Sequence, residues 1–225
     1  ALTSLAGLEN VGSVGGNVEI DGNAALATLD GLGGLGSVGG WLLVQHHPDL
    51  AALSGLDSLG SVGDLLQILD NPSLPSLAGL GALSSVGGSL AISDNRDLVS
   101  LDGLDALEEI ALDLALTGNA SLTDLSALYG LTSVGRDVRI EGNRDLGDPA
   151  GRALVEQIGA IGGTITVDVA ARVAPGRVLV KIGAAAINPI ETYIRSGMVK
   201  MNIPLPYIPG CDLAGTVTAV APDVT

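Results

Sequence analysis

The 225-residue sequence contains no Phe, one Trp and three Tyr. A core with so few aromatic rings must be filled by Leu, Val, Ile and Ala. Thin repeated layers suit those side chains better than one aromatic-centred core. Cys211 is the single cysteine, which excludes an internal disulfide framework and a Cys-rich zinc module. Basic residues are scarce: ten Lys and Arg stand against 25 Asp and Glu, a formal charge of −15. That balance argues against nucleic acid or an anionic membrane surface as a partner. No apolar run reaches about 18 residues, so no transmembrane span is expected. The chain opens on Ala1 with no signal-peptide pattern. A hydrophobic fraction of 47% is ordinary for a folded protein and excludes wholesale disorder.

The charge is unevenly placed. Residues 1–165 carry 21 acidic and five basic side chains, whereas residues 166–225 carry four and five. Both lysines, Lys181 and Lys200, lie in the second part. Two domains are therefore expected, 1–165 and 166–225.

The first region repeats. Ser13-Val14-Gly15-Gly16 returns as Ser37-Val38-Gly39-Gly40, Ser61-Val62-Gly63-Asp64, Ser85-Val86-Gly87-Gly88 and Ser133-Val134-Gly135-Arg136, always on a 24-residue grid. Glu109-Ile110-Ala111-Leu112 fills the remaining place. Leucine columns obey the same step, as in Leu2, Leu26, Leu50, Leu74, Leu98, Leu122 and Leu146. A further column reads Asn23, His47, Asn71, Asn95, Asn119 and Asn143. Such a period is the signature of a stacked repeat, because one coil cannot bury its own apolar face.

Each coil reads physically. Ser89-Leu90-Ala91-Ile92-Ser93 alternates polar and apolar residues, a short strand with Leu90 and Ile92 inward. Asn95 follows in a turn, and a buried Asn there can bond backbone groups of its own and the next coil. Leu98, Leu101, Leu104 and Leu107 then recur every third residue, which fits 3₁₀-like turns rather than a long helix. The glycines before each strand permit tight corners.

Leu90-x-Ile92-x-x-Asn95-x-x-Leu98 resembles the leucine-rich-repeat consensus, and the Ser-Val-Gly-Gly run on a 24-residue step is similar to the receptor L-domain variant of that class. The coils carry this resemblance over about residues 1–146 and the cap extends the domain to 165. It implies a mainly β, right-handed solenoid with a parallel sheet, used for recognition of a protein or ligand. Pro149 to Ile158 break the pattern: Arg152 to Ile158 read as a short capping helix started by Asp148-Pro149 and stopped by Gly162-Gly163. Ile165-Thr166-Val167 reads as a last strand. No such cap is visible at the other end, so further chain upstream of Ala1 is expected.

The candidate binding face comprises the outward strand positions. These include Asn17, Glu19, Asp21, Trp41, Leu43, Gln45, Leu65, Gln67, Leu69, Asp113, Thr117, Asp137, Arg139 and Glu141. Trp41, Leu43, Leu65 and Leu69 form an expected apolar patch flanked by acids, and such patches mark interfaces. Three other motifs are read as structural. Gly31-x-Gly33-x-x-Gly36 matches a dinucleotide fingerprint by letters but lies in phase with the repeat and opens no βαβ unit. His46-His47 lacks further His or Cys ligands, and His47 occupies the Asn column, so no metal site is expected. Asn119-Ala120-Ser121 is a glycosylation sequon whose Asn falls in that same column, where modification is not expected.

The second region differs in texture. Val178-Leu179-Val180-Lys181-Ile182 reads as a strand, as does Thr216 to Val220. Between them stand Asn188-Pro189-Ile190-Glu191-Thr192-Tyr193-Ile194-Arg195-Ser196-Gly197 and Leu205-Pro206-Tyr207-Ile208-Pro209-Gly210-Cys211-Asp212-Leu213-Ala214-Gly215. These strings resemble the N-terminal GroES-like part of the zinc-independent quinone oxidoreductases, the zeta-crystallin group of medium-chain dehydrogenases, over about residues 170–225. The resemblance implies NADPH as hydride donor to a quinone or enone, without a metal. It places Asn188 and Tyr193 in the nicotinamide and substrate cleft, where an amide and a phenol can hydrogen-bond a carbonyl. Ala186 stands near the position of a ligand Cys in zinc-dependent relatives. Val199 stands where family members often carry a second cleft aromatic.

No Rossmann unit or glycine fingerprint follows in the sequence, and hydride transfer needs the cofactor held against the substrate. The expectation is a binding solenoid with an incomplete, catalytically silent oxidoreductase-like tail that needs no cofactor. The alternative is a fragment of an NADPH-dependent quinone oxidoreductase whose nucleotide-binding half lies outside these residues. The tail resemblance implies a cytoplasmic location; an extracellular one fits the solenoid.

Overall fold

Stacking is the only way a coil of this kind can cover its apolar face. The structure, a computed structural model, describes residues 2–168 and, beyond them, the strands Val178–Ala185 and Leu213–Val220. The chain divides into two units, Ala1–Ala170 and Ala171–Thr225.

In the first unit every coil contributes a four-residue strand, from Val18–Asp21 through Leu42–Gln45, Leu66–Leu69, Leu90–Ser93, Leu114–Thr117 and Val138–Glu141 to Ile165–Asp168. They pair in parallel as one seven-stranded sheet, each strand beside those of the adjacent coils. Registry follows the repeat, so Val18 faces Leu42 and Leu42 faces Leu66. In the five inner strands, from Leu42–Gln45 to Val138–Glu141, the first and third residues are buried, for example Leu90 and Ile92, while Ala91 and Ser93 are partly exposed; at the two ends of the stack Val18 is only partly buried and Ile165 is exposed. The result is mainly β: stacked coils with parallel sheets and one helix.

A second parallel sheet was not anticipated. The Ser-Val dipeptides, read above only as part of a corner, are strands themselves: Ser13–Val14, Ser37–Val38, Ser61–Val62, Ser85–Val86, Glu109–Ile110, Ser133–Val134 and Ala160–Ile161. A two-residue strand carries no periodicity of its own, so only its neighbours in the stack reveal it. Its Val points inward and completes the core, as with Val62 and Val86.

The leucine segments fold as successive turns. Leu32 N–H bonds Leu29 C=O at 3.1 Å, and Leu35 N–H bonds Leu32 C=O at 2.8 Å. Gly31, Gly55, Gly79 and Gly103 hold φ between +103° and +114° within these turns. The fifth coil has Ala127 in that column, and a Cβ does not tolerate this conformation. There the turn becomes a 3₁₀ helix, Ser126–Leu128.

The cap differs from the sequence reading in one respect. The helix spans Asp148–Gln157 with Pro149 in its first turn and ends at the extended cap residue Ile158. Gly162-Gly163 therefore do not stop it. They form the corner between the strands Ala160–Ile161 and Ile165–Asp168, the place Gly39-Gly40 hold earlier. The last step is 27 residues, since Ser133 faces Ala160 and Val138 faces Ile165. The helix replaces the leucine turns of this coil and buries Leu154 and Ile158 in the core. Gly151 lets it approach closely, because a Cβ there would press on the Val167 side chain.

In the second unit Val178–Ala185 and Leu213–Val220 pair antiparallel, with register shifts between Leu179/Val180 and Ile182/Ala184. No helix among the described residues is long and apolar enough to cross a membrane.

Candidate functional site

The Asn column forms a continuous ladder. Backbone N–H groups of His47, Asn71, Asn95 and Asn119 donate to Oδ1 of the Asn one coil later, at 3.0–3.2 Å. The side-chain amides of Asn71, Asn95, Asn119 and Asn143 donate to the carbonyls of Val44, Ile68, Ile92 and Leu116. All four of these residues are fully buried. His47 reproduces the pattern with a ring: Nδ1 accepts from Asn23 N–H at 3.1 Å, and Nε2 lies 3.0 Å from Ile20 C=O. That pairing assigns the Nε2–H tautomer. Asn23, at the start, accepts from Leu2 N–H and donates to Asp21 C=O.

These bonds occupy the groups that other chemistry would need. The Asn119 amide of the sequon is buried and donates to Ile92 C=O. His46 is exposed and its Nδ1 lies 2.7 Å from Asp21 Oδ1; this bond holds the Asp21 carboxyl below its ordinary value. Among the described residues no group of three His, Cys, Asp or Glu could hold a metal ion. Gly31 sits with φ +112° against the Leu5 carbonyl, a stacking corner rather than a phosphate loop.

The outer face of the long-strand sheet is where the coils differ from one another. Asn17, Trp41, Leu65, Asp113 and Asp137 were read as outward strand positions; each instead sits one residue before its strand. That column is a second, partial ladder of acceptors. Asn17 Oδ1 accepts from Trp41 N–H, Ser89 Oγ from Asp113 N–H, and Asp113 Oδ1 from Asp137 N–H. Asp137 Oδ1 accepts from Thr164 N–H at 2.7 Å and lies 2.9 Å from its hydroxyl; these bonds lower the Asp137 pKa. Trp41 and Leu65 break this column, since neither side chain can accept a hydrogen bond.

The outward rows of the strands show the same departure. One row runs Glu19, Leu43, Gln67, Ala91, Ala115, Arg139, Thr166, and the next runs Asp21, Gln45, Leu69, Ser93, Thr117, Glu141. In each row the one large apolar residue is on the strand Leu42–Gln45 or its neighbour Leu66–Leu69. Leu43 and Leu69 are therefore diagonal neighbours about 7 Å apart. Trp41 is 38% exposed, and Leu43, Leu65 and Leu69 are partly exposed. The structure thus brings together four of the residues named for the face, with Gln45 and Gln67 between them and Glu19 and Asp21 alongside.

Arg139 and Glu141 pair with each other on the strand Val138–Glu141, three strands beyond Leu66–Leu69 and about 14 Å away, so they lie outside this group. The outward positions named from the sequence did not include exposed Asp64, Asp70 and Asp94. Asp64 precedes Leu65, and Asp70 and Asp94 directly follow the adjacent strands Leu66–Leu69 and Leu90–Ser93. Asp70 and Asp94 hold φ +50° and +57°, in a column that also contains His46 at +59° and is Gly22, Gly118 and Gly142 in the other coils.

The candidate cleft residues of the second region, Asn188 and Tyr193, lie outside the described residues. Comparison with known proteins bears on this region alone. Residues 174–225 match the alcohol dehydrogenase GroES-like domain. A 49-residue stretch is 51% identical to the quinone oxidoreductase of Sus scrofa, covering 22% of this chain and 15% of that protein. A 44-residue stretch is 52% identical to the quinone oxidoreductase of Homo sapiens, covering 20% and 13%. A 52-residue stretch is 46% identical to a trans-enoyl reductase of Fusarium mangiferae, covering 23% and 13%. No solved structure matches the chain. The chain spans about a seventh of the length of these curated relatives, and its C-terminal segment is similar to their GroES-like domain.

Proposed function

We propose that residues 1–165 are a recognition module of the leucine-rich-repeat type, whose outer sheet face binds a polypeptide partner. The buried Asn ladder beside Leu-x-Ile strands supports the repeat type. One observation carries the binding reading: four large apolar residues cluster on, or one residue before, two adjacent strands, at positions polar or small in every other coil. The repeat is its own control. The same columns fold with Asn17, Ala91 and Ser93, so packing of the coil does not require Trp41, Leu43 or Leu69 there.

The test is selection of a random-peptide display library on the full chain. Selected peptides should lose binding to Leu43→Gln/Leu69→Ser, residues borrowed from Gln67 and Ser93. Peptides that bind the variant equally well place recognition elsewhere and overturn the reading.

The segment 166–225 is proposed as an oxidoreductase-type piece that is silent within this chain. The second reading is a fragment of an NADPH-dependent quinone oxidoreductase, favoured by the match of residues 174–225. NADPH is implied by that likeness alone, with Asn188 and Tyr193 as proposed cleft residues. Titration of the chain with NADPH, followed by nucleotide fluorescence, tests the silent-tail reading. Saturable micromolar binding would overturn it.

A further inference from the structure

We infer that the partner of the apolar face is a cationic, amphipathic polypeptide segment bound in extended form. This rests on the recognition reading above and specifies its chemistry. Residues 1–95, which contain the whole patch, carry nine carboxylates and no Lys or Arg. The basic groups there are His46, already paired with Asp21, and His47, buried in the ladder. Five exposed acids border the four apolar side chains. Glu19 lies beside Leu43 and Asp21 beside Gln45. Asp64 stands before Leu65, Asp70 follows Leu69, and Asp94 follows the next strand, Leu90–Ser93. All five solenoid arginines, Arg96 to Arg152, come later in the stack.

An apolar centre ringed by one sign of charge selects its partner in two ways. The ring attracts cations over several ångströms and repels acidic segments. The centre then rewards large apolar side chains that leave water. Trp41 offers a ring face to an arriving guanidinium or ammonium group. The row from Trp41 to Gln45 is about 13 Å long, the reach of roughly four extended residues. Beyond the intervening strand Leu66–Leu69, Ala91 and Ala115 keep the same outward row small.

Trp41 is also the sole Trp of the chain, so its emission reports on the patch directly. The experiment titrates the full chain with three synthetic peptides: alternating Lys-Leu, alternating Glu-Leu and alternating Lys-Gly, each of seven residues. The expected result is saturable quenching or shift of Trp41 with Lys-Leu alone, weakened by salt. Leu43→Gln/Leu69→Ser should weaken it about tenfold. A Glu19→Gln/Asp64→Asn/Asp70→Asn variant should weaken it similarly and flatten the salt dependence. Circular dichroism checks that both variants fold.

Equal binding of Glu-Leu overturns the charge assignment and leaves the face reading standing. Equal binding of Lys-Gly overturns the amphipathic requirement. If Lys-Leu does not bind, but display-selected peptides bind and lose binding in Leu43→Gln/Leu69→Ser, the inference falls alone. If those also fail, both readings fall.

Discussion

Asn95→Ala should be among the most damaging single substitutions on the ladder, and the bonds around it set the size of the effect. The Asn95 side chain accepts from Asn71 N–H at 3.1 Å and donates to Ile68 C=O at 3.0 Å. Asn71 and Ile68 are buried, so water cannot replace either bond. Each buried group left unsatisfied costs about 1–3 kcal/mol, or about 2–6 kcal/mol for the two. A domain of ordinary stability holds about 5–15 kcal/mol, so the loss is a large share. Asn23→Ala removes bonds to Leu2 N–H and Asp21 C=O at the exposed end of the ladder, where water can substitute. Its expected cost is below about 1 kcal/mol.

Urea unfolding of both variants measures the difference. Coils couple only to their neighbours, so a break at Asn95 should also divide the stack. Trp41 emission then reports the early coils while circular dichroism reports them all, and the two midpoints should separate in Asn95→Ala. Stabilities of the two variants within about 0.5 kcal/mol of each other would refute the ladder argument. His47→Asn is a companion case: it restores the column's own residue and should unfold close to the parent.

Further outcomes follow from the turns, the cap and the acceptor column. Gly55→Ala should destabilise by about 1–3 kcal/mol, because φ is +103° and the Leu29 carbonyl is in the way, whereas Ala127→Gly should be tolerated; denaturant midpoints compare them. Leu154→Ala empties a fully buried site under the capping helix and should cost about 2–5 kcal/mol, with faster amide exchange confined first to residues 148–168. The Asp137 pKa is lowered by Thr164, so its contribution is present above the ordinary carboxylate value and is lost as pH falls through the lowered one. Protection of the Thr164 amide should decline over that acid range in the parent; an unchanged decline in Asp137→Asn would count against the bond as its cause.

Legibility in the sequence tracked how local each requirement is. The leucine columns and the Asn ladder were visible because every coil repeats the same demand at the same step. The helix from Asp148 was visible through its Pro and its break in the pattern. The apolar outliers Trp41, Leu43, Leu65 and Leu69 could be named once the columns were aligned. Their separation from Arg139 and Glu141 could not, because it depends on which strands are neighbours. Asp64 was missed because it stands in a corner column that is otherwise glycine, leucine or arginine. For Asn188 and Tyr193 the only signal is the likeness of the surrounding motif, and no geometry among the described residues adds to it.

The sequence by itself determined the 24-residue coil, its buried columns and the charge asymmetry, since these depend on composition and spacing along the chain. Only the tertiary structure decided that the Ser-Val pairs build a second sheet, that Gly162-Gly163 turn a seventh corner, and that His47, already placed in the ladder column by the sequence, engages both ring nitrogens. Two residues hold no period, and a glycine pair suits a helix end as well as a corner. An imidazole takes its tautomer from its partners. In each case the deciding group lies in the next coil, 24 or 27 residues away, and stacking alone brings it into contact.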